Sequence, residues 1–458
     1  MAPLNLPRRS TATLGSIYAT LGLKDMPFPS NGFVNPHSPD PKINGAIYAE
    51  SSAKATIAKF ESLLIRPDDF LNRAQLAYLW AKGDSETGRG VGKTALLQYF
   101  RQRINKDWGN TEFRGKFSAV VIYVGFKSQV DRRYMEQLAL SGLVDVCKNG
   151  VLEASRAALR LEALPEDKAE LILIDESQGE PGAGSLLKDD ILAKHGVEPT
   201  KLDEAVAKTL IAAGVESIVA HHLARGTFED YLRDLRKDKQ LEPLYVPRDT
   251  KILEYSRTLL FNDIVNYLRA AGYGGGYLFI DDIENLVDQM ARKERIEFAK
   301  EFGLCTVRPG YANTAYRFFS CVLTTHQQAS SYLAIAWGEA GLAAVGRLDP
   351  GSQNSVELPF PSKDQARDII VAHLDYYRMN PEKKRSIEPF TEDGLDELLG
   401  APTSVHPRTT LSRAAAVIQY AVDKKLTSIN GDAVKAATVG VSTQVAAPDF
   451  SDGIEGAG

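Results

Sequence analysis

The eight residues from Thr87 to Thr94 read T-G-R-G-V-G-K-T, between a short apolar run, Leu76 to Lys82, and a stretch of helical spacing, "TALLQYFRQRI". No other feature narrows the possible folds as much. A strand that feeds a glycine loop into the start of a helix points successive backbone N–H groups into one concavity. There they and the helix dipole stabilise phosphate oxygens. Gly88, Gly90 and Gly92 leave the backbone free to curl, with Arg89, Val91 and Ala95 completing the phosphate-binding stretch. Lys93 would reach the β and γ phosphates of ATP, and Thr94 would ligate Mg²⁺. The first glycine of G-x-x-x-x-G-K-[ST] is absent, since Thr87 stands there, and Asp84 and Glu86 put negative charge just upstream.

Such a loop needs an acidic residue at the end of a neighbouring buried strand to hold Mg²⁺. Two stretches compete: "ELILIDES", Glu170 to Ser177, and "GYLFIDDIENL", Gly276 to Leu286. The second is favoured, because a helical pattern precedes it and another buried strand, "FFSCVLTTHQQ", follows some forty residues later. That assigns Asp281 to the metal. The first follows "LPEDKA", which suits a helix start, and reads as a helix end and turn.

Composition bounds the rest. A chain of 458 residues with 44% apolar content can bury sizeable cores in one large or two to three ordinary domains. No apolar run is long enough to span a membrane, and "MAPLNLPRRSTATLGS" lacks the apolar centre of a signal peptide, so a cytoplasmic protein without membrane partners is expected. Cys147, Cys305 and Cys321 lie far apart with no metal-ligand spacing and read as buried thiols. His221 and His222 are adjacent, a poor arrangement for sharing one metal on a helix. A net charge of -5 does not draw the protein to nucleic acid, so DNA contact would need a local patch. The candidates are Lys127, Arg132 and Arg133 beside Tyr134, the run Arg233 to Lys239, and Lys383 to Arg385; each also reads as an ordinary solvated face.

The order of these landmarks resembles the AAA+ superfamily of P-loop ATPases, over roughly residues 45 to 128 and 270 to 440. Within it the chain is most similar to origin-recognition and initiator ATPases and their prokaryotic defence- or transposition-associated relatives. The resemblance implies an α/β parallel sheet flanked by helices, with a C-terminal helical lid. It places His326 of "VLTTHQQ" at the polar sensor position, although a strand-end histidine packed for structure reads equally well. Arg347, in "AAVGRLDPGS", falls at the arginine-finger position, which reaches a neighbour's ATP and so implies a homo-oligomer. Ser362 and Gln365 form a capping-box pattern that starts the lid near 363. Arg408 falls at the second sensor, with Arg413 as a substitute.

Three departures qualify the resemblance. The family's catalytic base is a glutamate directly after the Mg²⁺ aspartate, but here that place is Asp282; Glu284, two residues on, would reach the site only if the chain turns. The Asp-Asp pair also resembles the STAND signalling ATPases, which use ATP as a switch controlling a partner effector. About 150 residues separate the strand Phe117 to Phe126 from the one ending at Asp281, far more than an α/β connection needs, so a helical insertion is expected at about 129 to 252. A partner protein or DNA would be specified there. Finally, no stretch for a winged helix follows the lid, which turns the expectation away from an origin initiator. The expected layout is an extended N-terminal arm (1–45) lying on another surface, an ATPase core (46–362), a lid (363–440) and a tail of disordered composition (441–458).

Overall fold

The computed structural model describes residues 16–32, 34–35, 37–65, 74–83, 88–107, 117–123, 134–178, 185–237, 259–288, 290–308, 316–400 and 406–439, with the backbone alone at 117–123, 173–178 and 185. Asp84, Glu86, Thr87, Lys127, Arg132, Arg133, Lys239 and the tail 441–458 lie outside the described residues.

Five strands form one parallel sheet: β1 (Leu76–Ala81), β2 (Phe117–Tyr123), β3 (Gly275–Asp281), β4 (Phe319–His326) and β5 (Ser355–Glu357), in the order β2-β3-β4-β1-β5. β1, β3 and β4 are buried along almost their whole length. Strands covered on both faces have no solvent side, so their sequences run apolar without alternation. Register aligns the C-terminal ends: Ile280 pairs with Leu323, Tyr123 with Asp281, and Ala81 with His326. Asp281, Thr324 and His326 therefore emerge along the same edge as the loop that follows β1, which is where open parallel sheets bind ligands.

Helix α1 (Lys54–Phe60) and helix α2 (Lys93–Gln102) pack against this sheet. Phe60 stacks on Phe100 with ring centroids 4.0 Å apart and meets Phe279 of β3 edge-on at 6.0 Å, which fixes α2 against the strand that carries Asp281.

Between β2 and β3 the chain is helical wherever it is described: α3 (Tyr134–Lys148), α4 (Val151–Ala163), α5 (Glu166–Gln178), α6 (Asp189–Lys194), α7 (Pro199–Ala212), α8 (Ser217–Arg225), α9 (Phe228–Lys237) and α10 (Ile264–Ala270). "ELILIDES" lies wholly inside α5, so the rival stretch for the metal carboxylate is not a strand. The insertion is no free module. Leu138, Leu143, Leu210 and Leu223 share one hydrophobic core with Leu278 and Ile280 of β3. A smaller core around Ile172, Leu192 and Leu202 is held by Arg160, fully buried, whose guanidinium pairs with Asp203 at 2.7 Å and donates to Leu186 O at 2.9 Å. After β3 come α11 (Glu284–Val287), α12 (Arg292–Phe302) and, beyond β4, α13 (Gln327–Glu339).

Among the described residues, those within 54–359 with 35 and 37–39 form one compact unit, and those within 360–439 with 16–34 and 40–53 the other. The second unit contains α14 (Lys363–Tyr377), α15 (Glu392–Leu399), α16 (Pro407–Asp423) and α17 (Gly431–Thr438). Ser362 accepts from Gln365 N while the Gln365 side chain accepts from Ser362 N, so the capping box is formed. Of the expected arm, the described residues 16–32, 34 and 40–45 belong to this unit, and 35 and 37–39 to the other. Leu21, Leu23 and Phe28 share a core with Ile370, Leu374 and Ile418, and the backbone pairs through Lys24 N to Tyr377 O and Met379 N to Gly22 O. Residues 46–53 cluster with this unit as well.

Candidate active site

The loop after β1 is bent at Gly90 (φ 78°) and Gly92 (φ 110°), conformations that cost a side-chain-bearing residue dearly. Lys93 opens α2 and is 5% exposed. Its ammonium donates to Gly88 O at 3.0 Å and lies 3.6 Å from Glu284 Oε1. Val91 is buried, while Thr94 and Ala95 are half-buried on the first turn of α2. From the same loop, Arg89 Nη2 donates to Asn285 Oδ1 at 2.8 Å.

Across from the loop, Asp281 ends β3 fully buried. Its Oδ1 accepts from the Thr324 hydroxyl at 2.6 Å and from Asp282 N at 3.1 Å. Burial, with Asp282 close by, raises the Asp281 carboxyl above the usual range, against the hydroxyls of Thr324 and Thr94 and the charge of Lys93. Thr94 is thus close enough to favour the ionised carboxylate, yet Asp281 Oδ2 has no partner at full hydrogen-bond geometry. An uncompensated buried carboxylate oxygen beside a hydroxyl suits a hard cation such as Mg²⁺, which takes oxygen ligands. Among the described residues no three His, Cys, Asp or Glu side chains cluster as a metal site. A cation held by Thr94 and Asp281 would need phosphate and water oxygens for the rest of its shell.

The chain turns directly after β3. Asp282 takes φ 51°, Ile283 N bonds back to Thr324 O, and the short helix α11 begins. The turn brings Glu284 in fully buried, with neither carboxylate oxygen hydrogen-bonded. Burial raises the Glu284 carboxyl, opposed first by Lys93 and reinforced by Asp282. Asp282 itself is half-buried. Of the two candidate bases, Glu284 is the one that meets Lys93.

The remaining candidates are placed differently. His326 ends β4 and caps α13: its Nδ1 accepts from Ala329 N at 3.2 Å, which puts the proton of the neutral ring on Nε2, 3.8 Å from Asp288 Oδ2. Thr324, rather than His326, touches the Asp281 carboxylate. That role went unread in the sequence, though the pairing of two strand ends, "FIDD" with "VLTT", carries it. Arg347 has a 75% exposed side chain, 3.4 Å from Asp349 Oδ2. Its backbone is pinned, since Ser352 donates to Arg347 O at 2.8 Å and Tyr78 to the adjacent Gly346 O at 3.1 Å. Arg408 belongs to the other unit, half-buried in the first turn of α16, where a Cβ at Gly32 would lie 2.6 Å from its carbonyl oxygen. Arg413 is half-buried on the same helix.

Three of the described basic candidates for DNA contact pair with acids: Arg233 with Asp230, Lys237 with Asp234, and Lys383 with Glu388. His221 and His222 bond to Ser217 O and Thr227 Oγ1 through Nδ1. The cysteines are free thiols, and burial raises those of Cys147 and Cys321 to about 12. No helix among the described residues is long and apolar enough to cross a membrane. Comparison with protein-family models gives no match, and comparison with curated proteins gives none either.

Proposed function

We propose that this chain is an ATP- and Mg²⁺-dependent AAA+ ATPase that works as an oligomer. The observation that carries the reading is Lys93, buried at the mouth of a glycine loop between Gly88 O and Glu284, on a parallel sheet whose next strand but one ends in Asp281. A lysine there has nowhere better to turn than an incoming phosphate, and the loop N–H groups supply the remaining donors. Mg²⁺, held by Thr94 and Asp281, would neutralise charge on the phosphates.

The chain's own groups divide the remaining work. Lys93 binds the phosphate end, and Glu284 takes the proton of an attacking water on its carboxylate. A buried carboxyl with a raised pKa is a stronger base than an exposed one. Arg347, exposed on a pinned loop, is offered to a neighbouring copy. This placement of Glu284 weighs for turnover over a STAND-like switch, because the switch reading rested on Asp282 standing where a base belongs. Action on DNA, or within a nucleoprotein or defence-type complex, remains the resemblance's contribution, and the acid-matched basic faces lend it no further support. The insertion, continuous with the sheet's core, is the segment best placed to pass nucleotide state to a partner protein.

The test is steady-state ATP turnover of the purified chain with and without double-stranded DNA, beside binding of a fluorescent ATP analogue to the parent and to Lys93→Ala. Binding by the parent and none by the variant supports the site; equal binding by both overturns it. DNA stimulation would support the nucleoprotein reading.

A further inference from the structure

Arg89 occupies a position of the glycine loop that the phosphate-binding pattern leaves open, and its guanidinium donates to Asn285 Oδ1 at 2.8 Å, away from the concavity. Asn285 is 6% exposed and is the residue directly after Glu284. Four residues on from Arg89, Lys93 meets Glu284 itself at 3.6 Å. Two cations from one loop thus hold adjacent residues of a single turn.

That turn needs holding. α11 is only four residues long, and one helical turn has too few bonds to be stable alone. Ile283, Leu286 and Val287 anchor it in the core, but Glu284 has no hydrogen-bond donor at either carboxylate oxygen. When Lys93 is drawn to a phosphate its hold on Glu284 ends. The Arg89–Asn285 bond does not depend on Lys93, so it still fixes the turn at that moment. We propose that Arg89 and Asn285 form a positioning pair that keeps the Glu284 carboxylate aimed at the phosphate end of the site. The inference rests on the ATPase reading above. It makes the loop's variable arginine a positioning residue rather than a phosphate ligand.

The experiment uses the full chain with Arg89→Ala, Asn285→Ala, the double variant and Arg89→Lys, which keeps a donor. Binding of the fluorescent ATP analogue and kcat are measured for each, with thermal melts to identify variants that fail to fold. Displacement of a reacting group by about 1 Å can cost on the order of a hundredfold, so each alanine variant should lose at least about tenfold in kcat while binding changes less than about threefold. The double variant should lose clearly less than the two single losses combined, because both remove the shared bond, and Arg89→Lys should recover most of the loss. Normal kcat in the single variants, additive losses, or an Arg89→Ala effect confined to binding would each overturn the positioning role. If an alanine variant does not fold, the kcat of Arg89→Met, which keeps the side chain's length and removes the donor, decides, and normal turnover in it overturns the role. A parent that binds nucleotide without turnover also overturns the inference while leaving the nucleotide site standing, and a parent that binds none overturns both.

Discussion

Replacing Thr324 with valine removes one hydroxyl from a fully buried position and keeps the side-chain shape. The hydroxyl does two things. It donates to Asp281 Oδ1 at 2.6 Å and accepts from Asp282 N at 2.7 Å. The second loss is partly covered, because Asp282 N also reaches Asp281 Oδ1 at 3.1 Å and is not left unpaired. The first is uncovered, and a hydrogen bond to a charged group contributes about 1.5–3 kcal/mol. Stability of the sheet unit should therefore fall by at least about that amount, since stripping one partner leaves a buried acceptor to bear its desolvation cost. Losing an outer partner of a metal-binding carboxylate typically weakens the metal about 10- to 100-fold. Titrating Mg²⁺ into protein with a fluorescent ATP analogue, beside urea unfolding, measures both effects, and Thr324→Ser separates the bond from the volume. An unchanged unfolding midpoint together with a Mg²⁺ dependence within about threefold of the parent would refute the reasoning, because such a bond must register in one of the two.

Glu284→Gln should bind the ATP analogue while kcat falls at least about a hundredfold, whereas Asp282→Asn should lose far less; the reverse ranking would return the base to Asp282. Arg347→Ala should leave binding intact and remove turnover at every protein concentration, and mixing it with Lys93→Ala should restore some activity if the arginine acts between copies. His373 is fully buried on α14 with its Nδ1–H on Pro27 O at 3.0 Å, and burial lowers its pKa from 6.5 to about 4. The folded state therefore resists protonation that the unfolded state accepts, so stability is full above pH 6.5 and is lost as pH falls toward 4, by up to about 3 kcal/mol. Hydrogen exchange at Lys24 and Met379, which bond across the N-terminal segment, should lose protection over that window, and His373→Asn should flatten the dependence.

Much of the sheet was legible, for a physical reason. Strands buried on both faces must be apolar throughout, so "LAYLWA", "GYLFI" and "FSCVL" announce themselves without periodicity. The glycine loop was legible because Gly90 and Gly92 occupy backbone conformations that few other residues adopt. What stayed hidden depends on register and on distant partners. Whether Thr324 or His326 faces Asp281 turns on how two strand ends align, and two residues of slip would exchange them. The docking of Leu21, Leu23 and Phe28 on the C-terminal helices joins segments more than 340 residues apart, and the segment's Pro, Asn and Ser content reads as an extended arm without naming the surface it lies on. Its few apolar side chains are spaced for no regular element, so only their partners reveal them.

The substitution of aspartate for the usual glutamate at 282 has a backbone cause that sequence comparison alone misreads. A strand continuing past Asp281 would turn the next side chain to the opposite face. Here the strand stops, and Asp282 takes φ 51°, a left-handed conformation in which Asp and Asn are several-fold enriched over longer residues. That single residue resets the phase of the chain: Asn285 N bonds to Asp282 O, Ile283 N to Thr324 O, and the next side chain with a carboxylate, Glu284, arrives inside the site. Asp282 is then a turn residue whose charge raises the Asp281 and Glu284 carboxyls, and on the proposed reading its missing methylene does not bear on the base, which would be Glu284. On the proposed reading, two residues stand between the metal carboxylate and the base, and this has a cost, since the base would sit on a four-residue helix and no longer on the strand. A base on so short an element would require a tether, and Arg89 of the glycine loop, bonded to Asn285, is placed to supply one.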